Sequence, residues 1–179
     1  MLVGLTGRNA AGKTTVLEWF QTRGFLTGSC SDSIRSWLSE NGIQPTRENL
    51  INGGRELRKR HGPGILAEML LEPFEGENAV IDSIRTPDEV YALRKRNHFV
   101  LLEVTADPET RWLRAQTRAR SGDPVTREAF LEVERLELVS KDATGQSLIA
   151  TSALADHTVE NNGDLAALER HLGDLFPEI

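Results

Sequence analysis

A chain of 179 residues, 39% hydrophobic and 27% charged, has the length and balance of one ordinary domain with its own core. Its formal net charge of −6 argues against a general binder of nucleic acid or anionic membrane, because both need a surplus of cations. The single cysteine, Cys30, excludes an internal disulfide and fits a reducing cytoplasm. The opening "MLVGLTG" has no basic segment or cleavage site of a leader. No apolar run approaches the about 18 residues of a membrane span, so a cytoplasmic protein without a membrane partner is expected.

"LVGLT" (Leu2 to Thr6) reads as a short buried parallel strand. It runs into "GRNAAGKTT", where Gly7, Gly12, Lys13 and Thr14 satisfy the spacing G-x-x-x-x-G-K-[ST]. A helix is predicted from Lys13, with Val16, Trp19 and Phe20 at i, i+3, i+4 and Gly24 as its stop. Ile34, Trp37 and Leu38 share a face of a second helix ending near Gly42. Thr46 is placed as the N-cap of a third, running towards Gly62, and Pro63 as the opening of a fourth.

"AVIDSI" (Ala79 to Ile84) is an inner strand. The "TPDE" after it combines an N-cap, a proline at the first helical position and a capping-box glutamate. "FVLLEV" (Phe99 to Val104) is another buried strand, and Asp107 with Pro108 should open the next helix in the same way. "RSGDPVTRE" (Arg120 to Glu128) carries loop chemistry. "HTVENNGD" (His157 to Asp164) gives a last strand and turn before a C-terminal amphipathic helix. Strands alternating with helices predict an α/β fold: a parallel sheet covered on both faces, in three layers.

The glycine-bearing stretch has a physical purpose. Its glycines let the backbone curl until several N–H groups point inwards at anionic oxygens, and the helix N-terminus adds its positive dipole end. Asn9, Ala10, Ala11, Gly12, Lys13, Thr14 and Thr15 would cradle a nucleoside triphosphate. Lys13 would reach the β and γ phosphates and Thr14 would ligate Mg2+. ATP and Mg2+ are therefore the expected cofactors. "SKDA" (Ser140 to Ala143) does not match the base-reading motif of guanine switches, and the signature loop of transporter ATPases is missing. Small-molecule phosphoryl transfer is left in front.

Several stretches then resemble known kinases, in the right order along nearly the whole chain. "SDSIR" (Ser31 to Arg35) lies where nucleoside monophosphate kinases carry a "GDLLR"-like segment, and "IDSIRTPDE" (Ile81 to Glu89) where they carry "DGFPRT". "VTADPETRWLRAQTR" (Val104 to Arg118) resembles their strand and helix leading to an arginine-bearing lid. "ADHTVENNG" (Ala155 to Gly163) resembles a turn shared with dephospho-coenzyme A kinases. The chain looks closer still to an uncharacterised family related to both, with a recurring "I-D-G-I-R-S-P-E-E"-like stretch. Serine here stands where these patterns have glycine. The resemblance implies a three-layer P-loop kinase over residues 1–179, with acceptor-binding helices at about 32–73 and a short lid at about 119–128.

The same reading supplies candidate side chains. Arg111, Arg114 and Arg118 fall within about 60° on a helical wheel and lead to Arg120. Arg118 and Arg120 are the better candidates to clamp the transferring phosphoryl group, and Arg114 matches the family's first arginine here. Arg35 and Arg85, each three residues after an aspartate (Asp32 and Asp82), suit an acceptor phosphate. Asp82 would orient Mg2+ or accept a proton, while Asp32 is either an acceptor contact or a helix-start acid. Arg55 and Arg58 lie in the basic run "RELRKRH", which reads first as a solvated face. Cys30 reads as a small buried residue, and the three tryptophans as core, with Trp37 near enough to Arg35 to line an acceptor pocket. The expected activity is ATP-dependent phosphorylation of a nucleotide-like small molecule, foremost a (deoxy)nucleoside monophosphate. Dephospho-coenzyme A kinase, and an NTP-binding regulator or nucleic-acid-linked NTPase, are the alternatives.

Overall fold

The computed structural model describes residues 1–119, 124–139 and 147–179. Five strands form one sheet: β1 (Leu2–Thr6), β2 (Leu26–Ser29), β3 (Ala79–Asp82), β4 (Phe99–Thr105) and β5 (His157–Glu160), in the order β2-β3-β1-β4-β5. Every pairing is parallel. The helices are α1 (Lys13–Gln21), α2 (Cys30–Glu40), α3 (Arg47–His61), α4 (Ile65–Leu71), α5 (Pro87–Leu93), α6 (Pro108–Arg118), α7 (Arg127–Val139), α8 (Leu148–Ser152) and α9 (Leu165–Leu175).

Strand alternation divides the core in two. Successive side chains point to opposite faces, and Leu2 stands level with both Ala79 and Phe99. Leu2, Ala79, Ile81 and Leu101 therefore share one face, packed with Ile34 and Leu38 of α2, Leu57 of α3, Leu66 of α4 and Val90 of α5. Val3, Leu5, Val80, Leu102, Val104 and Val159 share the other, under Val16, Trp19 and Phe20 of α1 and Leu168 and Leu172 of α9. The three layers follow from this arithmetic. A small third cluster, Trp112, Ala115 and Phe130, joins α6 to α7.

The predicted helix starts hold at Lys13, Thr46 and Thr86. The Thr86 side chain accepts from Glu89 N–H while Glu89 accepts from Thr86 N–H, a complete capping box. Asp107 differs: its side chain makes no cap bond, and its own N–H donates to Asn162 Oδ1 at 2.7 Å. The fourth helix begins at Ile65, not at Pro63. Gly64 passes so close to α5 that a Cβ there would lie 2.9 Å from Asp88 O. β2, α7 and α8 are elements the sequence reading did not place. β2 is a short edge strand of mixed polarity, "LTGS", with none of the apolar continuity that marks an inner one. Arg120 and the middle of the expected lid lie outside the described residues. No described helix is long and apolar enough to cross a membrane.

Candidate active site

In an open parallel sheet, ligands gather beyond the carboxyl ends of the strands, and the phosphate loop leaves β1 at that edge. Gly7 sits at φ 129, and a Cβ on it would meet Val104 O at 2.2 Å; Gly12 sits at φ 103, and a Cβ on it would meet Asn161 Nδ2 at 2.0 Å. Both positions need glycine for conformation and for clearance alike. The left-handed Gly12 is the N-cap of α1, so the loop delivers its amides at a positive helix end. Lys13 arches over the loop, its Nζ donating to Gly7 O at 2.8 Å and Arg8 O at 3.1 Å.

The loop is gripped from outside as well. Ala11 O accepts from Asn161 Nδ2 at 2.9 Å and from Arg114 Nη1 at 3.3 Å. Arg114 Nη2 also reaches Asn161 Oδ1 at 3.5 Å. Asn161 is buried, at 6% exposure, and its backbone N–H is fixed on Thr105 O. Two residues before Ala11, Asn9 Oδ1 accepts from Arg118 Nη2 at 3.2 Å.

Beside this loop, the end of β3 turns sharply. Ser83 N–H donates to Asp82 Oδ1 at 2.6 Å, and Thr6 Oγ1 donates to Ile84 O at 2.9 Å. Glu89 holds the next two residues, its Oε2 accepting from Arg85 N–H at 2.8 Å and Thr86 N–H at 3.1 Å. Its other oxygen accepts from Arg58 Nη2 at 2.8 Å, with Arg58 one-tenth exposed and Glu89 fully buried. The basic run of α3 is thus not all solvated: Arg58 turns inwards to neutralise the glutamate that shapes the Arg85 loop. Cys30 lies in this region, where burial, then the Glu89 carboxylate, push its thiol well above the ordinary range while Arg58 opposes them. A buried thiol kept protonated is no nucleophile.

These pieces enclose a cavity of about 230 Å³ lined by Asn9, Ala10, Gly12, Lys13, Thr14, Asp82, Ser83, Arg85, Arg114 and Arg118. The donor-side and β3-side candidates read from the sequence therefore meet in one space. Three expected contributors stand elsewhere. Asp32 and Arg35 bond each other at 2.8 Å as an i,i+3 pair, each about half exposed, and neither lines the cavity. The spacing that suggested a phosphate site satisfies the charges locally instead. Arg111 is turned away and only 1% exposed: its Nε donates to Ala106 O and its guanidinium pairs with Glu134 of α7. Burial, then the nearby Arg8 charge, bring it down to about 10 against the opposing pull of Asp107. Trp37 packs on the core of its face. Of the cradle residues, Ala11 presents its backbone from a fully buried position and Thr15 N–H is taken by Gly12 O.

The donor set fits Mg2+. Thr14 supplies a hydroxyl and Asp82 a carboxylate, hard oxygen ligands such as Mg2+ takes in ones and twos beside phosphate and water. Among the described residues, no group of three or more His, Cys, Asp or Glu could hold a metal by itself.

The chain is similar to known proteins along most of its length. A family model described as an AAA domain matches residues 3–138. A UPF0200 protein of Hyperthermus butylicus is 30% identical over 94% of this chain and 89% of its own length. The chain belongs to the UPF0200 family and carries an AAA domain. Another UPF0200 protein, from Thermococcus kodakarensis, is 29% identical over 100% of this chain and 98% of its own. Among solved structures, TT1252 from Thermus thermophilus superposes with a TM-score of 0.66 at 21% identity, covering 100% of this chain and 97% of that one. Shikimate kinase from Bacteroides thetaiotaomicron does so with 0.61 at 14%, covering 99% and 98%. At such identities the likeness concerns the fold, which is that of P-loop kinases. This UPF0200 member thus shares its three-layer α/β fold with a kinase of known structure. Asn161, Ser83 and Glu134 were not singled out from sequence; the first two lie in stretches, "ENNG" and "IDSIR", that the kinase resemblance had already marked.

Proposed function

We propose that this UPF0200 protein transfers the γ-phosphoryl group of ATP, with Mg2+, to a nucleotide-like small molecule, foremost a (deoxy)nucleoside monophosphate. The supporting observation is the cavity itself: the phosphate-loop residues Gly12, Lys13 and Thr14 share it with Asp82, Ser83 and Arg85 of the neighbouring strand end. Hydrolysis of ATP needs a place for one anion and water. Transfer needs a second anion held in line with the first, and Arg85 offers the planar fork for it.

The chemistry asks little else of the protein. An acceptor phosphate is already ionised at neutral pH, so one of its oxygens can attack the γ-phosphorus without losing a proton. The bond from that phosphorus to the β–γ bridging oxygen breaks, and ADP departs. Catalysis is then alignment and charge neutralisation. Lys13 would neutralise the β and γ oxygens, Arg118 with Arg120 the transferring group, and Arg114 with the amides of residues 9–15 would hold the donor. Thr14 and Asp82 would hold Mg2+, which shields the phosphate charge.

The test incubates the full chain with ATP, Mg2+ and a panel of nucleoside and deoxynucleoside monophosphates, dephospho-coenzyme A, DNA and RNA. Conversion of an added monophosphate to its own diphosphate, in step with ADP release, supports the reading. Activity confined to dephospho-coenzyme A would move the acceptor, and hydrolysis stimulated by nucleic acid alone would overturn transfer. Arg85→Ala should raise the acceptor KM about tenfold or more while sparing the ATP KM; unchanged acceptor kinetics would remove Arg85 from the site.

A further inference from the structure

Ser83 occupies left-handed backbone at φ 63, where glycine is at ease and a residue with a Cβ is strained. The surroundings impose this conformation. Ser83 N–H is tied to Asp82 Oδ1, Ile84 N–H to Leu5 O, Ile84 O to the Thr6 hydroxyl, and Arg85 N–H to Glu89. The turn is fixed on both sides, and glycine would fit it better. Residues held in such strain by over-determined surroundings concentrate at ligand sites, and Ser83 lines the cavity between Asp82 and Arg85. Relative to glycine, a serine adds one chemical capacity, a hydroxyl that donates and accepts hydrogen bonds.

We infer that the Ser83 hydroxyl is an acceptor-binding group, hydrogen-bonding the phosphoryl oxygens of the second anion beside Arg85 and so narrowing which acceptors this chain takes. The inference rests on the phosphotransferase reading and deepens it. In the pairing that results, Arg85 supplies the charge and Ser83 the placement. Lys13 and Thr14 serve the donor on the other side of the same cavity, so loss of the hydroxyl should leave ATP untouched.

The experiment measures, by titration calorimetry, binding of ATP with Mg2+ and of AMP, GMP, CMP, UMP and thymidine monophosphate to the wild type, Ser83→Gly and Ser83→Ala. Ser83→Gly relieves the strain, so its Tm should rise, yet its affinity for the monophosphate bound by the wild type should fall about tenfold or more, as for one hydrogen bond to a charged group. Ser83→Ala keeps the strained Cβ and should show the same loss without the gain in Tm. ATP affinity should stay within twofold in both. A Ser83→Gly variant that binds the monophosphate as tightly as the wild type would overturn the inference and leave the phosphotransferase reading standing. An equal loss of ATP affinity would overturn it too, by marking a general distortion. A wild type that binds none of the five monophosphates would sink the nucleoside monophosphate reading, and this inference with it.

Discussion

Lys13 and Asn161 act on the same loop from opposite sides, and their replacements should separate kinetically. Lys13 is an ammonium poised over the cradle; removing a positioned cation takes away charge stabilisation that grows in the transition state. Lys13→Ala should therefore lower kcat for ADP formation by about a hundredfold or more, and wild-type turnover would contradict the assignment. We propose Asn161 as a positioning residue that acts through Ala11 O, to which its Nδ2 donates at 2.9 Å, and so through the peptide that leads to Gly12. Asn161→Ala should leave the fold intact, raise the ATP KM about tenfold by loosening one charge-assisted amide contact, and spare the acceptor KM. Equal losses for both substrates would mean that the asparagine merely packs. Steady-state kinetics with each substrate varied in turn decide between these outcomes.

At the scale of elements, the proposed acceptor side is shaped by a fully buried carboxylate. Glu89 closes the capping box of α5, receives the Arg85 and Thr86 amides, and pairs with Arg58 of α3. One side chain thus ties two helices and a loop together. Glu89→Ala strands a nearly buried guanidinium, and breaking such a pair from one side costs about 3 kcal/mol or more. For a chain of this size that lowers Tm by roughly 6 °C or more; a calorimetric scan showing less than about 2 °C would deny Glu89 this role. The capping box itself was legible in "TPDE" because its bonds are local and its spacing fixed. Its partner was not: Arg58 looked solvated within "RELRKRH", since nothing in a run of charges says which one turns inwards. Arg111 misled the helical wheel for the same reason. Its 60° grouping with Arg114 and Arg118 was sound geometry, but Glu134 sits on α7, an element the sequence did not announce. Local signals gave β1, β3, β4 and β5, the caps at Thr46 and Thr86, and the glycine loop before α1. Pairings across more than about 20 residues waited on the fold.

On the scale of the whole molecule, a phosphotransferase of net charge −6, as we propose, has to gather polyanions, and it would do so by segregation. Lys13, Arg85 and the pair Arg114 and Arg118 come from three separate places in the sequence, yet the parallel order of β3, β1 and β4 brings their elements to one edge, with Asp82 also in the cavity wall. Local positive potential is thereby compatible with an acidic surface elsewhere. Such a site also links ligand binding to stability, because ATP with Mg2+ should bind the folded cradle and not the unfolded chain. At about a hundred times its Kd, a ligand of this kind adds about 2.7 kcal/mol, which for this length raises Tm by roughly 5–10 °C. Thermal scans with increasing ATP at constant excess Mg2+ should show that rise, and salt should weaken it as the site's cations are screened. Lys13→Ala should lose most of the shift, because the cation proposed to meet the β and γ phosphates is gone. A wild type whose Tm does not move at millimolar ATP would leave the loop a structural turn without a nucleotide, and the transfer chemistry would fall with it.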